Sequence, residues 1–259
     1  MRKRIIGVSL KMYMGLDRTR TWLAGLRAMV EAGGLPDGVE LFVIPSFLSL
    51  ADGRALLDGT GVALGAQDVF WEDWGAYTGE VSAPMLREAG CLYVEIGHAE
   101  RRRIFAENDA VVADKVHAAV RSGLIPVLCI GEAERGTPAS AVADCLRQLD
   151  AATARIGPEA PLVVAWEPVW AIGAAEPAEP GYIVAVATGL RAALEPRAAT
   201  RLIYGGSAGP GLLGALGGAV DGLFLGRFAH DLDALRRVLG EAATAPDAGS
   251  RTSQPETHT

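Results

Sequence analysis

Glu167 sits in the chemically richest stretch of this 259-residue chain, Ala165-Trp166-Glu167-Pro168-Val169-Trp170-Ala171-Ile172-Gly173. The run before it, Leu162-Val163-Val164-Ala165, is apolar and β-branched, with the length of a buried strand. Pro168 fixes φ just after the carboxylate and keeps Glu167 out of a helical conformation. Small residues follow from Ala171 to Ala175. A rigid hinge, a small-residue tip and an acid at the hinge describe a lid closing over a catalytic base. The plain alternative is a strand-to-helix loop whose glutamate meets solvent.

Lys11 ends another short apolar run and is one of three lysines, with Lys3 and Lys115, in an arginine-dominated chain. A compact ammonium suits contact with a substrate oxygen. His98 follows Ile96-Gly97 and precedes Glu100-Arg101-Arg102-Arg103. Glu100 pairs either with Lys11 or locally with one of these arginines. A helix start beneath the imidazole, with Asp109 or a nearby group as its cap, disfavours the protonated ring. Two glycine turns, Gly205-Gly206-Ser207 and Gly226-Arg227, let backbone N–H groups approach an anion closely. His117, His230 and His258 fall in helix, loop and tail contexts and are assigned no chemistry.

The elements that must hold these residues alternate regularly. Strands are expected at Arg4–Ser9, Glu40–Ile44, Val62–Ala66, Leu92–Ile96, Ile125–Cys129, Leu162–Ala165, Arg201–Tyr204 and Gly222–Leu225. Helices are expected near Thr19–Ala32, Leu48–Leu57, Ala83–Ala89, Asp109–Ser122, Pro138–Ile156, Tyr182–Glu195, Pro210–Leu216 and Asp231–Leu239. Eight βα units in series predict a single α/β domain, a closed (β/α)8 TIM barrel. An open dinucleotide-binding sheet predicts G-x-G-x-x-G after the first strand, and Gly7-Val8-Ser9-Leu10-Lys11-Met12 does not supply it. In a barrel the site lies where the strands end. Lys11 follows the first strand, His98 the fourth and Glu167 the sixth, with the two glycine turns after the seventh and eighth. That last pair of loops is the usual place for a barrel's phosphate site.

The barrel is expected over 1–240, with a disordered Ala/Pro/Ser/Thr-rich tail over 241–259. Half the residues are apolar and the formal charge is −7 without a long basic run, which argues against nucleic acid or an anionic membrane as partner. No apolar run approaches the roughly 18–20 residues of a membrane span, and the apolar part of the start is too short for a signal peptide. Cys91, Cys129 and Cys145 are odd in number and lack metal-ligand spacing, which fits a reducing, cytoplasmic compartment.

Taken together, these residues resemble the triosephosphate isomerase family over nearly the whole chain. The matching blocks are Gly65-Ala66-Gln67-Asp68, Thr78-Gly79-Glu80-Val81-Ser82, Ile96-Gly97-His98-Ala99-Glu100-Arg101-Arg102, Cys129-Ile130-Gly131-Glu132, Trp166 to Gly173, and Tyr204-Gly205-Gly206-Ser207. The resemblance implies that Glu167 is the general base and that a neutral His98 donates to the carbonyl oxygen. Lys11 would hold the same developing charge. Gly173, Ser207 and Gly226 would bind phosphate, and Pro168–Ala178 would close over the site. It further implies no metal or organic cofactor, and a homodimer in which Thr78 reaches toward a partner. Phe70, Trp71, Trp74 and Tyr77 would give that loop an apolar surface. Isomerising an α-hydroxy carbonyl needs such a base, and donors aimed at an oxygen that gains charge in the transition state.

Three departures from the family pattern lie near the substrate. Ser9 replaces an asparagine, Ala174-Ala175-Glu176 replaces Thr-Gly-Lys at the lid tip, and Gly226-Arg227-Phe228-Ala229 replaces Gly-Gly-Ala-Ser. Arg227 must point away from the anion or join it through its guanidinium. The first reading is therefore the glycolytic interconversion of dihydroxyacetone phosphate and D-glyceraldehyde 3-phosphate. The alternative is a paralogue that isomerises a four-carbon erythrulose phosphate in sugar-alcohol breakdown. A third is a non-catalytic barrel that binds a phosphate ligand.

Overall fold

The computed structural model describes residues 3–245. Most of the expected tail and His258 lie outside these residues. Among those described, eight strands and nine α-helices follow the order β1 (Arg4–Ser9), α1 (Leu16–Gly33), β2 (Val39–Ile44), α2 (Leu50–Leu57), β3 (Ala63–Ala66), α3 (Ala83–Glu88), β4 (Tyr93–Ile96), α4 (Ala99–Ile104), α5 (Asp109–Arg121), β5 (Ile125–Ile130), α6 (Pro138–Thr153), β6 (Leu162–Trp166), α7 (Pro180–Leu194), β7 (Thr200–Tyr204), α8 (Leu212–Leu216), β8 (Gly222–Leu225) and α9 (Leu232–Thr244). The strands close in sequence order into one parallel barrel, β8 pairing back on β1. This is the expected (β/α)8 barrel.

Strand alternation divides the core in two. Residues such as Ile6, Val8, Val94, Leu128 and Val164 point outward and are covered by the helices. Ile5, Phe42, Tyr93, Val127, Ala165, Ile203 and Phe224 fill the barrel. Gly7 is needed there: a Cβ would lie 2.7 Å from Phe42 Cε2 and 2.8 Å from Phe224 Cδ2. The two phenylalanines occupy that volume instead, with Phe42 stacked on Tyr93 at 4.3 Å.

Local chemistry starts the helices. The Asn108 side chain accepts from Val111 N, Thr137 from Ser140 N ahead of Pro138, and Glu179 from Gly181 and Tyr182 N. Asn108, not Asp109, is thus the cap of α5. Asp109 pairs instead with Arg102 at 2.6 Å.

Two further differences from expectation have physical causes. Helix α4 covers the run Glu100–Arg103, which no apolar stripe announces because none of its residues is buried. Helix α9 runs through Thr244, past the expected start of the tail. Ala242 is buried against the core, and the Glu241 carboxylate accepts from Gly211 N at 2.7 Å.

Candidate active site

The strands deliver their C-terminal ends to one cavity of about 590 Å³, a volume suited to a small metabolite. Ser9, Lys11, Glu100, Glu167, Gly173, Ser207, Gly226 and Arg227 line it. His98 stands against its charged end: Nε2 lies 3.2 Å from Lys11 Nζ and 3.3 Å from Glu167 Oε2. The residues to which the sequence assigns catalysis or substrate binding are therefore brought together. Glu100 takes the first of its two possible partners, Lys11, at 2.9 Å.

Lys11 holds an uncommon conformation for a side-chain-bearing residue, φ 48°. Gln67 stabilises it by donating to the Lys11 carbonyl at 2.9 Å. Burial disfavours the ammonium, yet the Glu100 bond and the carboxylates of Glu167 and Glu95 more than offset this and raise its pKa. Lys11 is held charged.

His98 is the N-cap of α4, its Nδ1 accepting from Glu100 N at 3.1 Å. A ring nitrogen that accepts carries no proton, so Nε2 bears the hydrogen and faces the cavity. Burial, and then the Lys11 charge, push the imidazole pKa down to about 4, against the pull of Glu100. At neutral pH the ring is an uncharged donor.

Glu167 is buried at the end of β6, and burial lifts its carboxyl to about 8; the Glu95 carboxylate adds to this and Lys11 opposes it. Oε2 is close to His98 but off the hydrogen-bonding line, and it has no hydrogen-bond partner among the described residues. Gly205 leaves the carboxylate its room. Once ionised, this carboxylate is poorly solvated and strongly basic.

Beneath these groups lies Glu95, on the inner face of β4, bonded by the Ser9 hydroxyl at 2.8 Å. Burial raises its carboxyl to about 7, opposed by the Ser9 bond and by Lys11. In the sequence Glu95 reads only as part of a strand, and its charge within an apolar run is the one signal that sets it apart. Arg103 also lines the cavity. It lies three residues after Glu100 on α4, hence on the same helix face.

The lid segment is tied at both ends. Glu132 accepts from the indoles of Trp166 and Trp170, each at 3.0 Å, and from the Tyr182 hydroxyl at 2.9 Å. Tyr204 Oη accepts from Ala178 N at 3.3 Å and donates to Gly206 O at 3.1 Å. At the tip, Ser207 Oγ bonds the carbonyls of Ala171 and Ala174 at 3.1 and 2.8 Å. The Arg227 guanidinium reaches Gly173 O at 3.4 Å. Arg227 thus faces the cavity and the lid, not away from them.

A sequence model described as triosephosphate isomerase matches residues 4–242. The chain belongs to the triosephosphate isomerase family. It is an isomerase of that family, and the expected resemblance holds over the whole barrel. A Pectobacterium atrosepticum protein named L-erythrulose-1-phosphate isomerase is 49% identical, covering 94% of this chain and 97% of its own length. A protein of the same name from Brucella abortus is 38% identical, covering 96% and 100%. A Symbiobacterium thermophilum protein named triosephosphate isomerase is 42% identical, covering 95% and 99%. The three departures from the triosephosphate isomerase pattern, at Ser9, at the lid tip and at Arg227, all contribute to the lining of the one cavity.

Proposed function

We propose that this enzyme isomerises L-erythrulose 1-phosphate, with Glu167 as base. The observation that carries the reading is that Lys11 Nζ and Glu167 Oε2 lie 3.2 and 3.3 Å from the same nitrogen, His98 Nε2. Relatives bearing that substrate's name, and the altered residues around the cavity, favour the four-carbon substrate.

The substrate's own chemistry limits the reaction. Carbon 1 carries the phosphate ester and has no hydroxyl, so an enediolate that exchanges carbonyl and hydroxyl forms only between C2 and C3. Glu167 removes the C3 proton, and the electron pair of that C–H bond becomes the C2–C3 double bond as charge moves to the C2 oxygen. His98 Nε2–H and the Lys11 ammonium stabilise that oxygen. A proton passes from the C3 hydroxyl to the C2 oxygen through the imidazole. Glu167 returns its proton to C2, leaving a ketone at C3. The product, numbered from its other end, is an erythrulose 4-phosphate. Gly173, Ser207, Gly226 and Arg227 hold the phosphate, and the lid over Pro168–Ala178 keeps water from the enediolate.

The parent triose reaction uses the same residues, and the Symbiobacterium relative favours it. Assaying the purified protein on L-erythrulose 1-phosphate and D-glyceraldehyde 3-phosphate side by side separates the two. Far better turnover of the triose overturns the four-carbon reading.

We also propose a cytoplasmic homodimer joined through the loop around Thr78. Trp74 is 68% and Tyr77 44% exposed beside the exposed Thr78, and Met12, next to Lys11, is 95% exposed. Phe70 is buried and does not belong to that surface; it supports the loop from within, packing on Trp71 at 4.1 Å and Tyr77 at 4.7 Å. Three buried free cysteines accord with a reducing compartment. A monomer mass by light scattering at micromolar concentration rejects the dimer.

A further inference from the structure

The inner wall of the barrel is aromatic and aliphatic from Ile5 and Phe42 to Ile203 and Phe224, yet it carries one carboxyl group near its top, that of Glu95. Both Glu95 and its partner Ser9 are more than nine-tenths buried. The Ser9 hydroxyl is the one hydrogen-bond donor to Glu95 among the described residues. A buried carboxyl normally takes several donors or a cation in direct contact, so this one is short of partners. Ser9 also lines the substrate cavity. Its hydroxyl hydrogen is used by Glu95, and its oxygen lone pairs remain to accept.

The topology says what meets this pair. The phosphate-binding turns follow β7 and β8, and β4, which carries Glu95, lies diametrically across a closed eight-stranded barrel from β8. A substrate with its phosphate at the first position and its carbonyl at Lys11 and His98 extends its far end toward β4. In the four-carbon phosphate proposed above, the carbon that gives its proton to Glu167 bears a hydroxymethyl group. In the three-carbon ketose phosphate, dihydroxyacetone phosphate, it bears a second hydrogen instead.

We infer that Ser9 and Glu95 form the subsite for the terminal hydroxymethyl of the substrate and so select a four-carbon over a three-carbon ketose phosphate. This rests on the functional reading above. The hydroxymethyl O–H donates into two converging acceptors, Ser9 Oγ and the Glu95 carboxyl. A shorter substrate leaves them unmet, and polar groups left unpaired in this way are strong discriminators. Glu95 touches no reacting atom in this scheme; it is a specificity residue.

The test is kcat/KM of the full chain on L-erythrulose 1-phosphate and on dihydroxyacetone phosphate, for wild type, Glu95→Ile, Glu95→Gln and Ser9→Ala. Glu95→Ile is expected to lose at least tenfold more on the tetrulose than on the triose, mainly through KM, since the contact exists before the reaction begins. Glu95→Gln, which keeps an acceptor oxygen, should recover part of that loss. If Glu95→Ile does not fold, the tetrulose-to-triose ratios of Glu95→Gln and Ser9→Ala decide, and both should fall. Ratios within twofold of wild type in the folded variants overturn the subsite while leaving the function intact. A wild type inactive on the tetrulose overturns the functional reading and the subsite with it.

Discussion

Glu167 and Gly205 share one space: a Cβ on residue 205 would lie 2.6 Å from Glu167 Cγ, against the carboxylate itself. A glycine that reads as part of a phosphate turn also makes room for the base. Gly205→Ala should keep the fold, because the atoms it meets belong to a side chain that can swing, but it displaces the carboxylate by about an ångström. Misplacement on that scale costs on the order of 10²-fold in rate. The expected result is a kcat lower by about two orders of magnitude with an unchanged far-ultraviolet circular dichroism spectrum.

The parts of this protein that were legible in its sequence are those set by local pattern. β1 and β8 fall on their expected bounds because a β-branched run defines the first, a short apolar run the second, and turns flank both; the other strands differ by one residue at an end. Lys11, His98 and Glu167 were found because a barrel rim can be read as whatever follows each strand. Glu132 lay within a quoted block, yet its role depends on Trp166, Trp170 and Tyr182, 34, 38 and 50 residues further on. No local spacing encodes that meeting. Glu95 was hidden differently, since a strand pattern assigns it a face but not the hydroxyl of β1 across the barrel.

Glu132 fastens both sides of the lid through one carboxylate. Replacing it by Leu leaves two indole N–H groups and one hydroxyl without an acceptor, each costing about 1–3 kcal/mol if it finds no water. Glu132→Leu should lower Tm by several degrees, at roughly 2–4 °C per kcal/mol for a chain of this size. Glu132→Gln, which retains one acceptor oxygen, should fall between it and wild type in differential scanning calorimetry. An unchanged Tm in Glu132→Leu rules out the anchor.

The pH profile should be set by carboxyl groups and not by the histidine. His98, lowered to about 4, is neutral throughout the working range. Glu167, raised to about 8, must lose its proton before it can act, so kcat/KM of the free enzyme should rise with pH and level off above about 8. Glu95 contributes to that rise, so Glu95→Gln should move the acid limb to lower pH. Stability runs the other way. Folded-state carboxyl values of about 7 for Glu95 and about 8 for Glu167 exceed the ordinary 4.5, so the folded chain binds more protons between these limits. Their contribution is complete below pH 4.5 and is lost as pH rises through 7 and 8. Melting at pH 6 and pH 9 should show the lower Tm at pH 9, and Glu167→Gln should flatten the difference.

Arg227 offers the cavity a cation where the family pattern has backbone and small side chains. Its guanidinium touches Gly173 O at the lid and stands 5.9 Å over the Tyr13 ring. From there it can join a phosphate in the turn between Ser207 and Gly226 with two parallel N–H bonds. That contact is made equally in the bound ground state and the transition state, so its loss should appear in KM. Arg227→Ala is expected to raise KM for the phosphorylated substrate by roughly tenfold while changing kcat less than threefold. The wild-type KM should also climb more steeply with ionic strength than that of the variant, since exposed charge attraction is screened by salt. A kcat loss with KM unchanged would instead place Arg227 on the lid alone, acting through its bond to Gly173.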